Sequence, residues 1–356
     1  MVVGGGLAGA SVAYHLVSGG ARTALIDRAD EGRATDAGAG ILSPPTAGDN
    51  GEGWPELVAA CGARYPRLIE EIGDAGYARC GLLAVALADW DVEAFEQLSI
   101  RARSRVTTIG EIDPADAAAA FPPLANVTRA LSNPDAARVD GRLLARAILT
   151  AAQDRGLEVI AGSVERLTAL PTVDVGGRQL NCGAVVVAGG AWSPALGSQL
   201  GVDVPISPER GQIIHVRTAA DTDGWPIVQP VLGAYLVPWP GGRVAIGATR
   251  EPDAGFAATP TVRGIRQIFN EVKRVAPGLL DAEFVEVRVG LRPHSVDDRP
   301  VLGPLLRAPH VHLATGYGAN GLLLSPWCGE QVAAAILGLP VAPGIEAFSP
   351  ARFPGA

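Results

Sequence analysis

Apolar residues fill positions 1–3, recur at helical spacing through Ala13, Leu16 and Val17, and close up again over 23–26 before Asp27. A continuous apolar run reads as a buried strand, and a recurrence every three to four residues as one face of a helix. Strand, helix, strand and a terminal acid are therefore predicted in that order. Helical periodicity returns at 55–72, 92–104, 114–121 and 142–155, and buried strands are predicted at 81–87, 157–161, 179–182 and 184–188. Residues 34–46, rich in glycine and proline, read as a loop, and Ser132-Asn133-Pro134-Asp135 as a turn. Between about 206 and 288 the pattern changes to strands at 212–216, 234–237 and 243–247 separated by Gly-Gly and proline turns, as in an antiparallel sheet, with one helix at 262–275. The first style resumes with a strand at 310–314, a glycine turn at 316–321 and a helix at 327–337. Two domains, one α/β and one dominated by an antiparallel sheet, are expected, with the chain crossing between them more than once.

The first turn carries the sharpest chemistry. Gly4-x-Gly6-x-x-Gly9 lies between the first strand and the first helix. That context makes it a dinucleotide fingerprint: Gly4 for the tight turn, Gly6 for close approach of a pyrophosphate, Gly9 for packing of helix on strand. A pyrophosphate would sit on the helix N-terminus, where unpaired N–H groups and the helix dipole favour an anion. Asp27 is placed to accept ribose hydroxyls.

The chain has 356 residues, 48% of them hydrophobic, which suits two domains with substantial cores. No uncharged apolar stretch approaches the length of a membrane span. The first strand begins at residue 1, which leaves no signal peptide ahead of it, so a cytoplasmic location is expected. A net charge of −8 without a basic run argues against nucleic acid as a partner. Cys61, Cys80, Cys182 and Cys328 form no C-x-x-C pair, and the five histidines form no H-E-x-x-H, so no metal site is expected. Lys273 is the single lysine, leaving Schiff-base chemistry one candidate residue.

Four further stretches, in order and spacing, resemble the D-amino-acid oxidase/glycine oxidase family of FAD-dependent amine oxidoreductases over nearly the whole chain, glycine oxidase most closely. They are VVVAGGAWSPAL (185–196), YLVPWPGGRVAIGATRE (235–251), GLRPHSVDDRPVLGP (290–304) and ATGYGANGLLLSP (314–326). The resemblance implies an α/β fold: a Rossmann-like FAD-binding domain of glutathione-reductase type, from 1–80, 138–205 and 289–356, with an interleaved α+β substrate domain from 81–137 and 206–288. It implies noncovalent FAD, because Arg292 stands where the related sarcosine oxidases carry their flavin-linking cysteine. Residues matching the family's cofactor contacts are Gly4, Gly6, Gly9, Asp27, Arg28, Thr35, Gly40, Ile41 and Leu42. Val164, Gly189, Gly190, Trp192, Gly290, Arg292, Gly316, Asn320, Gly321 and Leu322 complete that set.

The same resemblance assigns the substrate carboxylate to Arg292, whose planar fork suits two parallel charge-assisted bonds, and a supporting hydroxyl to Tyr235. Tyr317 replaces a histidine common in the family's C-terminal turn and is a third candidate in the catalytic site. Gly233 and Ala319 stand where glycine oxidases often carry histidine and arginine, which puts glycine itself in doubt as substrate. The implied reaction is hydride transfer from an amino acid with a free carboxylate to flavin N5, then hydrolysis of the imine to a 2-oxo acid and amine, with molecular oxygen reduced to hydrogen peroxide. An N-substituted glycine is the expected substrate, unless Trp239, Tyr317 or the loop 48–54 refills the space. A D-amino-acid dehydrogenase using another acceptor, and a flavin-binding module without turnover, remain alternatives. A homo-oligomer is possible.

Overall fold

The computed structural model describes residues 1–169 and 172–354; the expected domain limit at 356 lies outside them. Val2–Val3 sits inside a six-stranded sheet, parallel to Val185–Val187 on one side and to Ala24–Asp27 on the other. Glu158–Ala161 continues the sheet beyond Ala24–Asp27, and Val311–Thr315 continues it beyond Val185–Val187. Val301–Pro304 closes that second edge in antiparallel pairing.

Both faces of this sheet are covered, which is why its central strands are apolar without alternation. Successive side chains point to opposite faces. Val2, Leu25 and Val186 enter a core with Leu7–Ser18, Trp54–Ile72, Gly141–Gln153 and Gly321–Ile336. Val3, Ile26, Val185 and Val187 pack instead on Leu167, Val173 and Val175. Those last residues belong to a three-stranded antiparallel sheet, Val164–Leu167, Thr172–Val175 and Arg178–Asn181. Sequence patterning predicts only its final strand.

The second large sheet has eight strands. In order across it they are Glu283–Ser295, Ile206–Arg217, Arg243–Gly247, Tyr235–Trp239, Ile227–Pro230, Leu82–Ala86, Arg129–Asn133 and Gly110–Ile112. Ile227–Pro230 and Leu82–Ala86 pair in parallel; the other neighbours are antiparallel. Helix Val262–Val275 buries Ile268, Val272 and Val275 against Ile214, Leu236 and Ile246 on one face. On the other face Phe95, Leu98 and Ala102 of Val92–Arg105 meet Leu82, Ala84 and Val237. Glu283–Ser295 pairs with Ile206–Arg217 along its length and runs unbroken through the domain boundary expected at 288/289.

Three local expectations need correction. The loop read at 34–46 contains the short helix Ala34–Ala37 and the strand Ile41–Leu42. The turn read at 132–135 begins inside the strand Arg129–Asn133. The last long helix starts at Gly321, well before Trp327, and carries Pro326 within it. Proline has no N–H for the carbonyl four residues back; the Tyr65 hydroxyl donates to that Leu322 carbonyl instead.

In the six-stranded sheet, Asp27 ends one parallel strand, and Gly4–Gly6, Gly162–Val164, Gly189–Trp192 and Gly316–Gly321 follow the carboxyl ends of others. Open α/β sheets place their ligand crevices at this edge.

Candidate active site

A cavity of about 910 Å³ opens along that edge and reaches the eight-stranded sheet. The helices Leu7–Ser18 and Gly321–Ile336 both begin on its wall. Two helix N-termini thus direct their positive dipole ends to one space.

At the first turn the fingerprint is explicit. Gly4 has φ +108°, and a Cβ on Gly9 would stand 1.9 Å from the Gly4 carbonyl oxygen. Gly9 therefore lies beneath the turn, outside the cavity lining, and sets the closeness of helix to strand. Thr35 Oγ1 accepts the Leu7 N–H at 3.0 Å, which ties the 34–37 helix to the mouth of the first helix. Asp27 lines the cavity, and its carboxylate pairs with Arg33.

Among the sequence-predicted cofactor residues, Gly4, Gly6, Asp27, Arg28, Thr35, Gly40, Ile41 and Val164 line this cavity. So do Gly189, Gly190, Trp192, Gly290, Arg292, Asn320, Gly321 and Leu322. Leu42 and Gly316 do not. Leu42 is buried in the helical core, and Gly316, at φ +77°, packs against Ile206 and Val301 as the hinge of its turn. None of the four cysteines lines the cavity, so no thiol is placed for covalent attachment of a group held there.

At the far end, Arg292 rises from Glu283–Ser295 directly opposite Glu209 in the register of the neighbouring strand. Its Nη1 donates to Glu209 Oε1 at 2.9 Å and to the Thr249 carbonyl at 3.1 Å. The guanidinium lies flat over Gly211, where a Cβ would come within 2.5 Å of both terminal nitrogens. The Tyr235 hydroxyl interacts with the same guanidinium; burial raises its pKa above the usual 10 and the nearby Arg292 and Arg250 charges oppose that rise. Tyr235 therefore keeps its proton, and can donate it, across the neutral range.

Tyr317 departs from its expected role. It lines the cavity, but its hydroxyl is buried without a hydrogen-bond partner beside Cys61 and Cys328, and burial pushes its pKa far up. The side chain belongs to the core, and its backbone shapes the turn. Trp239 also leaves the cavity open: its ring lies between the Arg138 and Arg243 guanidinium groups, at 5.2 and 5.6 Å. Gly48 and Asn50 reach the cavity wall from the 48–54 loop. Gly233 lines it too, and behind Gly233 stands the Arg274–Glu271 pair, within 2.2 Å of any Cβ placed there. Sequence reading misses Arg33, Glu209, Gly211, Gln229 and Arg250, all of which line the cavity.

The profile of the DAO family, FAD dependent oxidoreductase, matches residues 1–335. The chain belongs to the DAO family. Its relatives include an uncharacterized oxidoreductase, YurR, of Bacillus subtilis, 36% identical over 99% of this chain and 98% of that one. A glycine oxidase of Bacillus licheniformis is 29% identical over 99% and 96%. Among solved structures, iminodiacetate oxidase from Chelativorans sp. BNC1 superposes with a TM-score of 0.93 at 34% identity, covering 98% of each chain. This DAO-family chain is an FAD-dependent oxidoreductase. The cavity fits that cofactor: the N-terminus of Leu7–Ser18 suits the pyrophosphate and Asp27 the ribose, and the cavity runs on from there to the N-terminus of Gly321–Ile336 and to Arg292. No helix among the described residues is long and apolar enough to cross a membrane.

Proposed function

We propose that this enzyme holds an amino acid by its free carboxylate and oxidises its Cα–N bond to the imine, with an N-substituted glycine as substrate, and delivers the electrons to oxygen. The observation that carries the reading is Arg292. Its guanidinium lines the cavity, is only 15% exposed, and commits Nη1 alone to Glu209 and Thr249. The remaining edge of the fork, with the Tyr235 hydroxyl beside it, suits a carboxylate. Two neighbours are named for amines that carry carboxylates, glycine and iminodiacetate.

The Gly4–Leu7 turn, Thr35 and Asp27 would hold FAD from the six-stranded-sheet side, and Gly189–Trp192 and Asn320–Leu322 would hold it at the turns farther along. The eight-stranded sheet supplies the substrate end. When bound, FAD supplies the two-electron acceptor and passes those electrons to molecular oxygen, giving hydrogen peroxide. Arg292 fixes the carboxylate, and with it the adjacent Cα, while Tyr235 donates to the same oxygens. Such positioning contributes much of the catalysis, because the nitrogen lone pair itself expels the hydride equivalent from Cα. The imine left behind hydrolyses to a 2-oxo acid and an amine.

Ala319 on the cavity wall leaves room for a substituent beyond the amine, whereas a side chain at Gly233 would run into the Arg274–Glu271 pair behind it. Each buried methylene there contributes about 0.8 kcal/mol, close to fourfold in rate when expressed in the transition state. Over glycine, sarcosine and longer N-alkylglycines, kcat/KM is expected to rise with substituent length. A maximum at glycine with steady decline thereafter would refute the N-substituted reading. Peroxide formed in step with amine consumed supports the oxidase; turnover with a dye but not with oxygen would favour a dehydrogenase.

A further inference from the structure

Resting on that reading, we propose that Arg250 binds a second carboxylate, so that the substrates are N-substituted glycines carrying an acid on the nitrogen substituent. Arg250 lines the same cavity as Arg292. One carboxylate serves both: Glu209 Oε1 takes Arg292 Nη1 at 2.9 Å, and Glu209 Oε2 takes Arg250 Nη1 at 3.4 Å. The two guanidinium groups are thus close enough to share one carboxylate, which puts them within reach of two acids carried a few bonds apart on one ligand.

Arg292 and Arg250 share the single carboxylate of Glu209 between them, so that anion is divided over two cations. The two arginines also differ in freedom. Arg292 is held by two hydrogen bonds over Gly211, whereas the Arg250 side chain is 63% exposed and its contact with Glu209 is long. Arg292 is built to fix the reacting glycine unit, and Arg250 is free to follow a substituent of variable reach. A flexible, solvated cation contributes less than a buried one, so the effect expected is selectivity between substrates.

The test uses the holoenzyme and two substrate pairs matched in chain length: N-ethylglycine against iminodiacetate, and N-propylglycine against N-(2-carboxyethyl)glycine. Each dicarboxylate should exceed its neutral partner in kcat/KM by about twofold to fivefold. In Arg250→Gln that ratio should collapse towards one, chiefly through KM of the dicarboxylate, and Arg250→Lys should restore part of it. Bound flavin per protein, measured alongside, shows that each variant is folded. Equal kcat/KM within the pairs, or a ratio unmoved by Arg250→Gln, would overturn the second-carboxylate site while leaving the amine reading intact. Failure of every carboxylate-bearing amine to reduce the flavin would overturn both.

Discussion

Replacing Arg292 with alanine is expected to lower kcat/KM for a carboxylate-bearing amine by roughly 10² to a few times 10³, or about 3–5 kcal/mol, with most of the loss in KM. Two effects add. The substrate carboxylate loses its fork of donors, and Glu209, 6% exposed, loses the closer of its two cationic partners. A carboxylate left with only the more distant Arg250 then faces the incoming one, so the single variant should be worse than loss of one pair implies. Removing Glu209 as well should recover part of the activity. Arg292→Lys keeps the charge but loses the planar fork, and should fall between wild type and alanine. Steady-state kinetics with the flavin content of each variant measured in parallel provide the check; an unchanged kcat/KM for Arg292→Ala would remove this residue from the substrate site.

Gly9→Ala is expected to yield protein that has lost FAD, with affinity weakened at least about tenfold. The added methyl would meet the Gly4 carbonyl oxygen at 1.9 Å, and that oxygen belongs to backbone fixed on both sides. The Gly4 amide donates to the Ile26 carbonyl at 2.8 Å, and Ala188 donates to the Val3 carbonyl at 2.8 Å. Relief requires the first helix to move off the sheet. Its N-terminus, one of the two aimed into the cavity, then no longer meets the pyrophosphate. The ratio of flavin absorbance to protein, before and after added FAD, reports the outcome, and a wild-type ratio would show that the turn tolerates a side chain.

The contrast between Gly9 and Glu209 shows what the sequence could reveal. The fingerprint is legible because strand, turn and helix are contiguous, so its geometry is local and its spacing is diagnostic. Asp27 stands at the end of that same local unit, whereas Gly189–Trp192 and Arg292, which also line the cavity, are picked out only through short stretches that resemble a family. Glu209 is not: it acquires meaning only when its strand pairs in register with residues 83 positions away. Gly211 depends on that same pairing, Arg250 on the pairing of that strand with Arg243–Gly247 on its other side, and Arg33 on the fold of a segment that reads as loop. Pro326 misleads because a proline in sequence announces a helix boundary, whereas here a distant tyrosine supplies the missing donor. Leu42 and Gly316 lie next to cavity residues in sequence, but a side chain and a turn direct them into the core.

Anaerobic mixing of the holoenzyme with an N-substituted glycine, followed through the visible absorption of its flavin, tests the central claim most directly. The account predicts that the free acid bleaches the flavin and that its carboxamide, identical in shape but unable to pair with Arg292, does so at least about a hundredfold less efficiently. Equal bleaching by acid and amide, or bleaching by neither, would contradict it.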